Sequence, residues 1–217
     1  MYQTLFLSLL AITTTTNSFA LAPQIKSFEI HEIPVTEEIQ IMQEGPGIGE
    51  IIAMAEQVVA IGEKVYTLVQ KGKPSIETNY APISVVPRDP VTKEPIDPFD
   101  LEGDSDVVQR RFKGVIKDMF DNEVVTFDFL LQFTPKRSYE GKGNYILNAI
   151  IVPKVKATYG WDAAANMKVL SVSMKGKKDN RVAEAKLAVN YTAKFVGYNL
   201  DVTKLINIDG LGNIKID

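Results

Sequence analysis

The chain has 217 residues, with 24 Lys and Arg against 27 Asp and Glu, a net charge of −3, one histidine and no cysteine. Without cysteine there is no disulfide, no thiolate metal site, no thiol nucleophile and no lipobox anchor. After the N-terminus no window holds the ~18 uninterrupted apolar residues of a membrane helix. The mature chain is therefore expected to be soluble as synthesised and held by its core alone, which is feasible because a domain of about 150 residues buries roughly 70% of its unfolded surface.

The opening "MYQTLFLSLLAITTTTNSFALA" is an apolar run, a Thr-rich stretch and small residues, with no charged side chain before Lys26. This is the layout of a secretory signal peptide, because Leu5 to Ile12 is too short to span about 30 Å of hydrocarbon. Cleavage after Ala20 is expected, so the protein reads as secreted or extracytoplasmic. Asn190-Tyr191-Thr192 is a glycosylation sequon if the source is eukaryotic.

Residues 21–46 form an acidic arm of net charge −4, with Phe28, Ile30 and Ile33 in a broken alternation that Pro34 interrupts. An extended segment with edge-strand pieces is expected, ending at the turn Gly45-Pro46-Gly47. Over 47–73, Ile48, Ile51, Ile52, Ala55, Val58, Val59, Gly62, Val65, Leu68 and Val69 recur at spacings of three and four. That spacing predicts one amphipathic helix of about 24 residues, near 36 Å long. Glu50 in the first turn, Lys71 and Lys73 in the last, and Gly72 with Pro74 as a stop agree with it.

Residues 75–106 carry −6 and a loop rich in Pro and Asp, whereas residues 107–217 carry +7. The two halves either attract one another within the fold or leave the basic half free for an anionic surface. Beyond residue 107 the period changes to two. Val125, Phe127, Phe129, Leu131 and Phe133 share one strand face, and Ala183, Ala185, Leu187, Val189, Tyr191 and Ala193 another. Six to nine antiparallel strands with short turns predict a mainly β protein, an antiparallel β-sandwich with one long N-terminal amphipathic α-helix packed on or beside it. The division is 1–20 signal peptide, 21–46 arm, 47–73 helix and 74–217 sandwich, with 47–217 read as one domain.

Catalytic signals are few. The single His31 lies between Glu29 and Glu32, away from any serine motif, and reads as a solvated histidine; no G-x-S-x-G and no Gly-rich phosphate loop occurs. In "DPFDLEGDSD", Asp100, Glu102, Asp104 and Asp106 surround Gly103 like half of a calcium loop, but depart from the D-x-[DN]-x-[DN]-G order. A solvated acidic loop is the first reading and a calcium site the second; no other cofactor is implied. An acidic, exported chain without interleaved basic and aromatic residues does not suit nucleic acid.

The helix keeps three readings: packing on the sheet, assembly with copies of itself, or insertion into a membrane. For assembly, Ile48, Ile52, Ala55, Val59, Gly62, Tyr66 and Val69 hold a 4-3 spacing. For insertion, the start "GPGIGEIIA", one amphipathic helix and then a cysteine-free sandwich resemble in organisation the actinoporins and related pore-forming toxins. That resemblance implies that the sandwich docks on lipid headgroups while the helix detaches, oligomerises and lines a pore. It places Ile48, Ile51, Ile52, Val58, Val65 and Val69 toward lipid, and Arg110, Arg111, Lys175, Lys177 and Lys178 could supply an attractive face for an anionic surface. The expected function is that of a secreted, non-enzymatic, membrane-interacting protein with pore formation as its further step. The alternative is a structural or adhesive protein that oligomerises through helix and strands on a cell-surface component.

Overall fold

The computed structural model describes residues 25–35, 50–62, 76–79, 82–103, 106–158 and 160–217. They build twelve strands, β1 (Ile25–Ile33), β2 (Glu50–Met54), β3 (Val58–Gly62), β4 (Ile76–Asn79), β5 (Ile83–Pro87), β6 (Val108–Asp118), β7 (Glu123–Tyr139), β8 (Lys142–Ala157), β9 (Asp162–Lys175), β10 (Val182–Phe195), β11 (Tyr198–Asp209) and β12 (Ile214–Ile216). The mainly β expectation holds. Among the described residues the only helical pieces are two three-residue 3-10 turns, Pro98–Asp100 and Lys178–Asn180.

The strands join in one sheet in the order β1-β6-β7-β8-β10-β11-β12, with β9 on β10, β4 on β9, and β5 linking β8 to β3 and β2. Pairing is antiparallel except between β8 and β10 and between β4 and β9. The sheet curls so that β1 and β7 face β10. The Tyr191 ring of β10 lies 5.7 Å from Phe28, 5.1 Å from Phe127 and 6.0 Å from Phe129, centroid to centroid. Period-two alternation places these rings inward because one face of each strand is buried and the other wet. On β6, Gly114 gives room for that packing: a Cβ there would stand 3.3 Å from the Phe28 ring and 3.4 Å from Ile30.

The long N-terminal helix is overturned over residues 50–62. Glu50, Ile51, Ala53 and Met54 pair with Gly62, Ile61, Ala60 and Val59, and β3 pairs on its other side with β5 from Val58–Pro87 to Gly62–Ile83. Val58, Val59, Ala60 and Ile61 are all buried, so β3 is covered on both faces. A strand buried on both faces reads as an unbroken apolar run, and such a run satisfies the three-and-four spacing of a helix as readily as its own pattern. Its β-branched residues favour the strand, where their χ1 stiffness costs little. Residues 47–49 and 63–73 of the expected helix, and the signal peptide, lie outside the described residues.

Candidate functional site

Three turns meet at one end of the sheet. The first joins β6 to β7. The Asp118 carboxylate accepts from Phe120 N at 2.9 Å, Asn122 N at 2.9 Å and Asn122 Nδ2 at 3.0 Å. This closed Asx turn holds Asp118 below the usual carboxylate pKa, chiefly through the Asn122 side chain, since bonds to the charged form favour it. Lys26 at the start of β1 donates to both oxygens of Asp121 at 2.9 Å and lowers that pKa as well. With its polar groups so engaged, the turn presents Met119 and Phe120 outward, 50% and 75% exposed.

The second turn joins β8 to β9. Thr158 donates to the Val124 carbonyl of the first hairpin through its N at 2.9 Å and its Oγ1 at 3.2 Å, and Trp161 N donates to Thr158 O at 3.1 Å. The third turn, Val196-Gly197, joins β10 to β11 with Gly197 at φ +78°. Its flanks grip the second: Trp161 is buried, 5.2 Å from Phe195 and 6.0 Å from Tyr198 between ring centroids. Val196 at the tip is 82% exposed. The end therefore carries apolar tips on a rigid aromatic base. Around it, Lys26 meets Asp121 at 2.9 Å, Lys113 meets Glu123 at 3.2 Å and Lys194 pairs with Asp162 across the β9–β10 ladder, so the charges that surround the tips are matched.

The residues expected to touch an anionic surface are elsewhere. Arg110 and Arg111 lie near the start of β6, and Lys175, Lys177 and Lys178 at the β9–β10 turn, toward the opposite end of the strands. Being consecutive on a strand, Arg110 and Arg111 point to opposite faces. Each meets an internal carboxylate, Arg110 Nε at 3.3 Å from Glu32, and Arg111 bidentate on Asp128 at 2.9 and 2.6 Å; Lys175 pairs with Glu184. The Glu32–Arg110 pair joins a carboxylate of the acidic arm to a cation of the basic half, whereas the Lys26–Asp121 pair joins the two segments with the signs reversed.

Ile51 and Ile52 lie in β2 and Val58 is buried in β3, so Val58 presents nothing to lipid; Ile48, Val65 and Val69 fall outside the described residues. In the acidic loop, Arg137 donates to the carbonyls of Leu101 and Gly103, and Glu102 exchanges 2.8 Å backbone bonds with Ser138. Asp100, Glu102 and Asp106 are exposed, Asp104 lies outside the described residues, and among the described residues no three carboxylates or histidines converge. Carbonyls that face a guanidinium are poorly placed for a calcium ion, which takes six to eight oxygens. His31 Nε2 lies 3.1 Å from Glu29 on the exposed face of β1.

A second feature, a concave one, opens where the curled sheet ends. Phe28, Ile30 and Glu32 of β1, Arg110 and Phe112 of β6, Lys204 of β11, and Ile214, Ile216 and Asp217 at β12 border a cleft of about 620 Å³. Sequence reading missed both features. The signal for the first was present in Met119-Phe120 between aspartates and in Val196 before a turn glycine, apolar side chains at tips where no core is within reach.

Compared with protein-family models, curated proteins and solved structures, the chain matches none. No helix among the described residues is long and apolar enough to cross a membrane.

Proposed function

We propose that this is an exported, non-enzymatic protein that docks on a lipid membrane through the turns Asp118–Asn122 and Val196–Gly197. The observation that carries the reading is the exposure of Phe120 and Val196 on two turns tied to one another through Thr158 and Trp161. Exposed apolar side chains on a rigid base lose nothing in folding and gain about 1.5–3 kcal/mol each when they enter an apolar phase. Buried Trp161 and half-buried Phe195 and Tyr198 hold the tips in place, and the lysines beside them stand at headgroup height. Balanced charge around the tips suits a zwitterionic surface as well as an anionic one.

We also read the curled sheet as a sandwich, β1, β6, β7 and β8 over β9 to β12, supported by Tyr191 bridging the layers. The resemblance to the actinoporins rested on the helix and loses that support over 50–62, so the proposal stops at docking and does not extend to a pore.

Vesicle flotation tests it. The chain without residues 1–20 is expected to float with phosphatidylcholine vesicles, and the pair Phe120→Ser and Val196→Ser to weaken binding about a hundredfold or more. Absence of binding to zwitterionic and anionic vesicles alike, or full binding by the double variant, would remove the reading.

A further inference from the structure

The cleft between β1 and β12 is bordered by two strand edges. Among the described residues β1 pairs only with β6 and β12 only with β11, so each edge turns backbone N–H and C=O groups toward the opening. Following the pairings from strand to strand, β1 runs opposite to β12. Phe28, Ile30, Phe112, Ile214 and Ile216 give the cleft an apolar stretch, and Glu32, Arg110, Lys204, Asn213 and Asp217 give it a polar one.

One charge in the cleft is left over. Lys204 pairs with Val189 in the β10–β11 ladder, and Val189 faces the core, so Lys204 stands on the inward row of β11. It is half-buried and makes no ion pair among the described residues. Its neighbours are already committed: Glu32 meets Arg110 at 3.3 Å, and Asp217 meets Lys215 at 2.6 Å and Asn207 at 3.1 Å. An incoming carboxylate would give Lys204 the charged partner that no described side chain supplies.

We propose that this seam binds an extended segment of another polypeptide by strand addition, with alternate apolar side chains on the apolar stretch and a carboxylate on Lys204. Only a polypeptide supplies both the backbone groups that the edges require and the side chains that the apolar stretch requires. The added strand lies antiparallel to β1, whose nine-residue edge is the longer and whose pairing geometry is the more stable, and so parallel to β12. Phe28 to Glu32 gives contact over about 17 Å at 3.4 Å per residue, a segment of about five to seven residues.

The probes are two fluorescein-labelled heptapeptides, Thr-Val-Thr-Val-Thr-Glu-Thr and its reverse, each also made with Lys for Glu and with alternate backbone N-methylation. At least one Glu peptide is expected to bind with a micromolar Kd and to lose about tenfold or more on N-methylation, which removes edge donors and leaves side chains intact. Lys204→Gln is expected to weaken it about tenfold, and Lys204→Glu to transfer preference to the Lys peptide. Circular dichroism and thermal melting confirm that both variants fold. Four results overturn the proposal: no peptide binds; N-methylation changes nothing; palmitate binds in a Lys204-dependent way and no peptide does; or sedimentation shows a dimer that Lys204→Glu splits, which assigns the seam to a second copy. None of these bears on the membrane turns, whose variants are read by flotation alone.

Discussion

The Trp161 ring lies 5.2 Å from that of Phe195 at a tilt of 36°, and this contact joins the β8–β9 turn to the end of β10. Neighbouring Gly160, at φ +86°, is what lets the rings meet, since a Cβ there would stand 2.6 Å from Phe195. Trp161→Ala is expected to cost about 3–5 kcal/mol in urea unfolding, as large-to-small changes at buried aromatics do. It should also weaken vesicle binding although Trp161 itself is buried, because the tips lose their base. Unchanged stability would mean that the aromatic cluster does not hold this end together.

Phe120→Ser gives the converse pattern. The ring is exposed, so the stability change is expected to stay within about 0.5 kcal/mol, as at most surface positions. Vesicle binding should fall. A protein that melts earlier but binds as before would place Phe120 in the core and not at a lipid contact.

The carboxylates of the first turn set a pH dependence. Asp118 and Asp121 both have lowered pKa values, from hydrogen bonds to Asn122 and to Lys26 respectively. A depressed folded pKa gives stability that is present above the ordinary value of 3.8 and is lost as pH falls through the lower folded value. The melting temperature should therefore decline on acidification below pH 3.8, and decline less steeply in Asp118→Asn. Equal slopes in the two proteins would show that the turn contributes nothing to acid sensitivity.

Two glycines near the opposite end separate close approach from backbone freedom. Gly210 N donates to Ala183 O at 2.8 Å, its carbonyl accepts from Lys136 N at 2.8 Å, and a Cβ would fall on the Asn144 carbonyl. Gly141 has φ +69° and open space where a Cβ would stand. Gly141→Ala is expected to cost about 1–2 kcal/mol, the strain of a left-handed residue. Gly210→Ala must displace a strand and should cost more. Thermal melts that rank them the other way would mean that β8 and β11 have room to separate.

The β character beyond residue 107 was legible because each strand has one wet face, so Phe127, Phe129 and Leu131 alternate with Thr126, Asp128 and Gln132. Curling was not legible, since pairing between distant strands leaves no local period. The pair Asp121-Asn122 marks a turn by residue type alone. That this turn stands beside the β8–β9 turn was not legible, because Thr158 reaches Val124 over 34 residues of sequence. The same limit hid the seam: Phe28, Phe112 and Ile216 come from three distant parts of the chain. The helix failed for a different reason, in that burial on both faces erased the alternation that would have marked β3.

Ala60 decides between helix and strand at that point. In a helix over 47–73 it falls outside the apolar stripe that contains Val58, Val59 and Gly62, and Ala60→Glu would be nearly neutral or, for an exposed helix position, cost only a few tenths of a kcal/mol. In β3 it is 0% exposed, paired with Ala53 on one side and Val85 on the other. A carboxylate there has no partner and no water, and leaving a charge buried and unpaired costs about 3–5 kcal/mol. Ala60→Glu is therefore expected to unfold at far lower urea than the parent, or to recover only when protonated at low pH. Lys64 lies outside the described residues and gives no such contrast, so the Ala60 variant, followed by circular dichroism through a urea titration, is the measurement to make. A midpoint unchanged from the parent would return residues 58–62 to the helix.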